Sequence, residues 1–387
     1  RTEQLSTFFD DLFGTLVDSQ SMQNAMLQMN ALPGVNGFAY LSFGSAPGDA
    51  VMNVSVNEER WGQLSTRINN HGAETTGEYR LVSQLTLNNP LHLSEQWRLS
   101  GSVNDQLENW SAGLGVDFYR GARHRFSLNT SLQHLAVSQS LSLLDMTGWQ
   151  GSAELGYRYQ PSQRFNQTFV LEPAIGFVQQ SLTNSANIDA LDIAFQDMPV
   201  DLKISGDRAS AKQFLGYELT GSGGWLLSYQ APLLLEESYW VRLQPAISYA
   251  LSVTGGALQR GIDIKSQISG QYALTELPSH RRFALTGPTK VASRLPGQGS
   301  YDTGLFAELG LSLFNVQWGP LHSAFQVNSQ VGWGMTGESQ SDALVGLGGI
   351  LDLDIGPVKT QNKLFTDESF SSLVWWFDVT LDWPKGK

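Results

Sequence analysis

From about residue 60 to the end of the chain, apolar and polar residues alternate with a period of two, segment after segment. In "WSAGLGVDFY", Trp110, Ala112, Leu114, Val116 and Phe118 alternate with Ser111, Gly113, Gly115 and Asp117. "WQGSAELGYRYQ" sets Trp149, Ala153, Leu155, Tyr157 and Tyr159 against Gln150, Ser152, Glu154 and Arg158. "GIDIKSQISGQYAL" sets Ile262, Ile264, Ile268 and Tyr272 against Asp263, Lys265, Gln267 and Gln271. The last run places Leu373, Trp375, Phe377, Val379, Leu381 and Trp383 opposite Ser372, Asp378, Thr380 and Asp382. Successive side chains of a strand point to opposite faces, so each run predicts a strand with one apolar and one polar side.

Residues 1–58 follow another period. Phe9, Leu12, Phe13 and Leu16, then Met22, Ala25, Met26 and Met29, recur at helical spacing, with Asp18 or Ser19 placed to cap the second helix and Pro33-Gly34 to stop it. "GFAYLSFG" and "AVMNVSVNE" predict two strands joined by the turn "SAPGD". Helix, helix, strand, strand is the order of a small α+β module lacking one strand at its front.

Two architectures produce long runs of two-sided strands. In a soluble sandwich or small barrel the apolar side is the core; in an outer-membrane barrel it faces lipid and the polar side lines a lumen. Three features favour lipid. Trp61, Tyr119, Tyr157, Tyr159, Trp240, Trp333 and Trp383 stand at strand ends, where interfacial aromatic girdles form. The polar faces are rich in Gln, Asn, Ser and Gly. Short turns at "NNPLH", "RGARH" and "QPSQR" alternate with longer segments near 103–109, 138–147, 180–200 and 283–302, as expected of two unlike rims. Residues 60–387 hold 16 candidate strands, at about 20 residues per strand and loop. The expectation is a membrane all-β protein, a 16-stranded antiparallel transmembrane β-barrel preceded by the small α+β module.

Composition narrows the function. Charged residues are 16% and Cys is absent, so neither a disulfide framework nor a thiolate metal site is available. A net charge of −12 argues against nucleic acid, whose phosphates need a basic surface. The six histidines, at 71, 92, 124, 134, 280 and 322, form no metal-binding motif. His322 and Ser323 are strand neighbours pointing to opposite faces, which argues against a hydrolase pair. "GLGG" at 346–349 lies mid-strand with no helix after it, so it is read as small residues admitting a packed neighbour or a lumenal plug. No enzyme activity and no cofactor are expected. The chain opens at Arg1 without a leader signature, which leaves its compartment open.

Several stretches, in order along the chain, resemble the outer-membrane transporters of two-partner secretion, within the POTRA-plus-barrel Omp85 superfamily. They are "LQMNALPGV" (27–35), "GSAPGDAVMNVSV" (44–56), "INNHGAETTGEYRLVSQLTLNNPLHLSEQWRLSGS" (68–102) and "GQYALTELPSHRRFALTGP" (270–288). The resemblance implies that 1–58 is a periplasmic POTRA-like module, that the partner is a secreted exoprotein or another envelope protein, and that lipid or lipopolysaccharide surrounds the barrel. It also implies that the loop 283–304 folds back into the lumen after the eleventh barrel strand. In such proteins the loop tip carries a Val-Arg-Gly-aromatic motif whose Arg meets an acid on the thirteenth strand. Here Gly287 and Pro288 precede the tip, Val291 lies in it, and Pro296, Gly297, Asp302 and Gly304 follow. Ala292 and Ser293 replace Arg and Gly, leaving Arg294 as the nearby cation, either a lumen anchor or a solvated loop residue. The thirteenth strand presents Gln326, Asn328 and Gln330 and no carboxylate, so set against the resemblance the lock is weakened or rebuilt: either neutral hydrogen bonds plus Arg294 hold the loop, or the family's transport cycle is no longer performed.

Overall fold

The computed structural model describes residues 5–16, 18–58, 61–137, 145–164, 166–186, 188–189, 192–230, 238–255, 258–336 and 340–383. A 3-10 turn, Thr7–Leu12, leads to helix α1, Ser19–Asn30, whose N-terminus is capped by Asp18 accepting from the Ser21 amide at 2.7 Å. The first helical segment is shorter than its apolar spacing predicts. Gly14 takes a positive φ of 70°, and Phe13 and Leu16 lie exposed beyond the end of the turn. The hairpin β1 (Val35–Phe43) and β2 (Ala50–Glu58) packs under α1 through Phe9, Ala25, Met29, Leu32 and Val35.

The rest is one closed antiparallel barrel. Its first strands are β3 (Gly62–Asn69), β4 (Arg80–Asn88), β5 (Glu95–Asn104), β6 (Trp110–Arg120) and β7 (His124–Val137). Then come β8 (Met146–Arg164), β9 (Gln167–Asn184), β10 (Ile193–Ala209), β11 (Gln213–Gln230), β12 (Tyr239–Gly255) and β13 (Leu258–Ala273). Two short pieces inside the following loop, β14 (Phe283–Ala284) and β15 (Ser300–Tyr301), pair only with each other. The wall resumes with β16 (Thr303–Trp318), β17 (Leu321–Thr336), β18 (Gln340–Ile355), β19 (Val358–Thr366) and β20 (Leu373–Trp383). Sixteen strands close the cylinder, as the alternation predicts. The seam is β20 against β3, in register from Asp378↔Asn69 to Trp383↔Leu64. Asn70 prolongs it, its side chain accepting from the Phe377 amide and donating to the Trp375 carbonyl.

Burial settles which face is wet. Leu155, Leu309 and Trp375 are 60%, 55% and 56% exposed on the outside, while Asp117, Gln271, Asn328 and Gln330 are buried on the inside. An apolar surface of that extent is stable only against hydrocarbon. The lumen wall carries paired charges: Arg98 meets Asp117 at 2.5 Å, and Arg125 and Arg158 share Glu172 at 3.1 and 3.5 Å. Among the described residues no helix is long and apolar enough to cross a membrane.

Several local expectations are corrected. "QPSQR" is no turn but the end of β8, where the register shifts between Tyr159 and Ser162; a bulge accommodates Pro161 without ending the strand. The segment 180–200 is mostly strand, its loop confined to the stretch between Asn184 and Ile193, where Asp192 accepts from the Asn184 amide. The loop at 103–109 starts only after Asn104, and of 138–147 the part 138–144 lies outside the described residues. Two of the aromatic residues are not girdle members. Trp240 is fully buried and faces inward over Gly224, where a Cβ would lie 2.7 Å from its ring. Tyr119 turns toward the helices of the N-terminal module.

Candidate functional site

The segment between β13 and β16 folds into the barrel and covers part of its inner wall. The small ladder Phe283↔Tyr301 and Ala284↔Ser300 brings its two limbs together, and the Leu285 amide donates to the Gly299 carbonyl at 3.1 Å. Beyond that point the tip is knit to itself by Val291 N to Leu285 O at 3.0 Å and Gly287 N to Arg294 O at 3.1 Å. Gly287 and Gly297 have φ of 110° and 86°, which side chains rarely adopt, and Pro296 packs against Gly287. The outcome is a compact plug. Leu285, Val291 and Ala292 are fully buried, and Thr286 and Ser293 nearly so.

The wall receives the plug because it is thin there. A Cβ at Gly332 would stand 2.8 Å from Val291, and one at Gly346 would stand 3.3 Å from the Ser293 hydroxyl. Gly334 leaves room for the Tyr301 ring, and Gly304 for Phe283. The "GLGG" run of β18 thus supplies the close approach for which small residues are suited.

Neutral hydrogen bonds hold the tip. The Ala292 amide donates to Gln330 Oε1 at 2.8 Å, Trp376 Nε1 donates to the Ala292 carbonyl at 2.7 Å, and the Ser293 hydroxyl donates to the Val345 carbonyl at 2.9 Å. The β17 wall orients its amides in a row. Gln326 donates to Asn328, Asn328 to Glu308, and Gln330 Nε2 to Glu308 at 3.3 Å, which leaves Gln330 Oε1 to face the loop. Asp302 pairs with Arg282 at 3.1 Å.

Two features differ from expectation. The wall does carry a carboxylate, Glu308, supplied by β16 at the position directly opposite Gln330. The loop also carries a second cation, Lys290, which donates to Ser269 Oγ at 2.8 Å and sits 4.9 Å above the Phe283 and Phe306 rings. Burial draws its pKa below the usual lysine range, partly opposed by Glu308. Lys363 reaches the Pro288 carbonyl at 2.9 Å. Arg294 is 35% exposed and approaches Glu368, in the loop after β19, at 3.8 Å; a pair so open contributes little. Glu308 and Trp376 were accessible to sequence reading, since each stands on the polar side of its alternating run.

Tyr301 adds a titratable contact, donating to Asp342 Oδ2 at 2.8 Å. Burial, that hydrogen bond and the Asp342 charge push its pKa up to about 12 from 10.0. The seated loop therefore favours the neutral phenol. This contribution is fully present below pH 10 and fades as pH rises toward 12. A phenolate difference titration between the parent protein and Tyr301→Phe should show a midpoint near 12; a midpoint at 10 would mean that Tyr301 is not held in this way.

Residues 48–131 match the family model "Haemolysin secretion/activation protein ShlB/FhaC/HecB". The heme/hemopexin transporter protein HuxB of Haemophilus influenzae is 26% identical over 165 residues, covering 42% of this chain and 29% of that protein. The outer membrane transporter CdiB of Escherichia coli is 27% identical over 152 residues, covering 38% of this chain and 24% of CdiB. The aligned parts thus span less than a third of these relatives. The solved structure of Escherichia coli CdiB superposes over 99% of this chain and 74% of its own, with a TM-score of 0.80 and 16% identity. That of Acinetobacter baumannii CdiB gives 0.77, also at 16% identity, over 99% and 72% of the two chains. At such identity these superpositions speak for the fold. Part of the sequence is thus similar to the ShlB/FhaC/HecB family and to the outer-membrane transporters HuxB and CdiB, and the fold is that of the CdiB barrel.

Proposed function

We propose that the protein is a translocation pore that passes a partner exoprotein across the outer membrane without nucleotide hydrolysis. Residues 1–58 would act as a periplasmic POTRA-like module receiving the unfolded chain at the open edges of the β1–β2 hairpin. The observation that carries the reading is the 283–304 loop seated in a polar lumen by mainly neutral contacts. Each such bond contributes about 0.5–1.5 kcal/mol net, and each buried apolar side chain about 1.5–3 kcal/mol. A seat of that strength persists at rest and yields to a competing chain that offers its own contacts. Folding of the exoprotein outside the cell would then draw transport forward.

The test is genetic and direct. Deleting this protein should abolish the appearance of its partner exoprotein at the cell surface, with the precursor retained in the periplasm. Unchanged surface display would refute the proposal. A second reading, a barrel that scaffolds other envelope components and exports nothing, is favoured by the complete burial of Leu285, Val291 and Ala292. It predicts that partner display survives the deletion.

A further inference from the structure

The loop has a second attachment, unlike the first. Before the tip, "LPSHRRF" (277–283) runs along β10, β12 and β13. There Asp197 of β10, with no solvent exposure, gathers three donors: Trp240 Nε1 on Oδ1 at 2.9 Å, and on Oδ2 both Arg281, Nε at 2.9 Å, and His280 Nε2, at 2.9 Å. The His280 ring lies flat on Phe195, with centroids 4.0 Å apart and planes 6° from parallel, and the Arg281 guanidinium stands 4.9 Å from the Trp240 ring centroid. Arg242 Nη1 donates to the Arg281 carbonyl at 2.6 Å, and Gln271 Nε2 bridges the carbonyls of Arg281 and Asp302 at 3.1 and 3.0 Å. The two ends of the loop are thereby tied to one another and to the wall. A register shift in the β10–β11 pairing falls between Gln196 and Asp197, beside the carboxylate.

We infer that Asp197 and Arg281 form the electrostatic latch that keeps this loop in the lumen. The latch lies at the loop's root on β10 and not at its tip on β17. A wholly buried carboxylate is tolerated only with its partners in place, and withdrawing one of them leaves an uncompensated buried charge. The tip has no ion pair with a buried wall carboxylate among the described residues: Lys290 donates to the Ser269 hydroxyl, Lys363 of the wall reaches a carbonyl, and Arg294 faces an exposed glutamate. Leaving the lumen therefore requires separating Arg281 from Asp197, whereas local motion of the tip does not. The inference rests on the loop acting as a plug, and it needs no exoprotein to be tested.

The experiment is single-channel recording in planar bilayers of the full chain, with folding checked by heat-modifiable electrophoretic migration. Arg281→Gln alters the loop alone and leaves the barrel wall intact. It should raise the open probability tenfold or more over the parent. Asp197→Asn should do likewise, and the double variant should add little to the larger single effect, because both substitutions break one contact. Should Asp197→Asn fail to fold, Arg281→Gln alone decides. An Arg281→Gln barrel that conducts no more than the parent, or stays silent as the parent does, overturns the latch. So does a double variant in which the two effects add in full. A latch that opens as expected in a protein whose deletion leaves partner display unchanged would uphold this inference and refute the secretion reading.

Discussion

Gly334→Leu should unseat the tip of the lumenal loop from the wall while leaving the barrel closed. The strand backbone at Gly334 is extended and accepts a side chain, yet its Cβ would fall into the Tyr301 ring and 2.8 Å from Leu285. The wall cannot yield, because β17 is paired along its full length with both β16 and β18. Exposing even two of Leu285, Val291 and Tyr301 costs about 3–6 kcal/mol, a shift of roughly two to four orders of magnitude in the seated population. Trypsin should spare the tip in the parent and cut the variant after Lys290 or Arg294, with heat-modifiable migration preserved. Gly334→Ala should give a partial effect. Parent-like resistance in Gly334→Leu would show that the loop is not seated against β17.

The second large effect is expected at Trp376. Its ring is 1% exposed, packs with Phe365 and Ala292, and its indole N–H reaches the Ala292 carbonyl. Trp376→Ala should lower the barrel's stability by about 3–5 kcal/mol through the cavity it leaves. Trp376→Phe keeps most of the packing and forfeits the hydrogen bond, at about 1 kcal/mol. Thermal loss of the compact electrophoretic form should rank parent above Trp376→Phe above Trp376→Ala. The neighbouring Trp375 projects outward at 56% exposure, so Trp375→Ala should leave trypsin resistance at the tip unchanged. Equal tip protection in Trp376→Ala and the parent would remove Trp376 from the plug's support.

The barrel was legible because a period of two, repeated in segment after segment, has few explanations, and because apolar residues stood mainly on one side. The segment 283–304 was legible as a long irregular loop from its Gly and Pro positions, and only the family resemblance implied that it folds inward. Its fastenings were less so, each for a definite reason. Glu308 lies on the strand beside the one that the family resemblance points to, and only cross-strand register places it opposite Gln330. Trp376 follows Trp375, and a pair of tryptophans reads as one interfacial feature although alternation sends them to opposite faces. Asp197 is 84 residues from Arg281 in the chain, in a stretch where strand and loop were hardest to separate, so no local pattern joins them. Trp240 was misplaced because an aromatic at a strand end resembles a membrane anchor until its partner, a glycine on β11, is known.

The strands of this cylinder are of unequal length, from 8 and 9 residues in β3 and β4 to 19 and 18 in β8 and β9. A tilted strand needs about 9–11 residues to cross the hydrocarbon, so the β20–β3 side barely reaches both headgroup layers while the opposite side overshoots them. Lipid tails beside the closing pair must shorten or splay to keep apolar side chains covered, at fractions of a kcal/mol for each ångström of mismatch. Residence in a thick, rigid bilayer should therefore be penalised chiefly along that one flank.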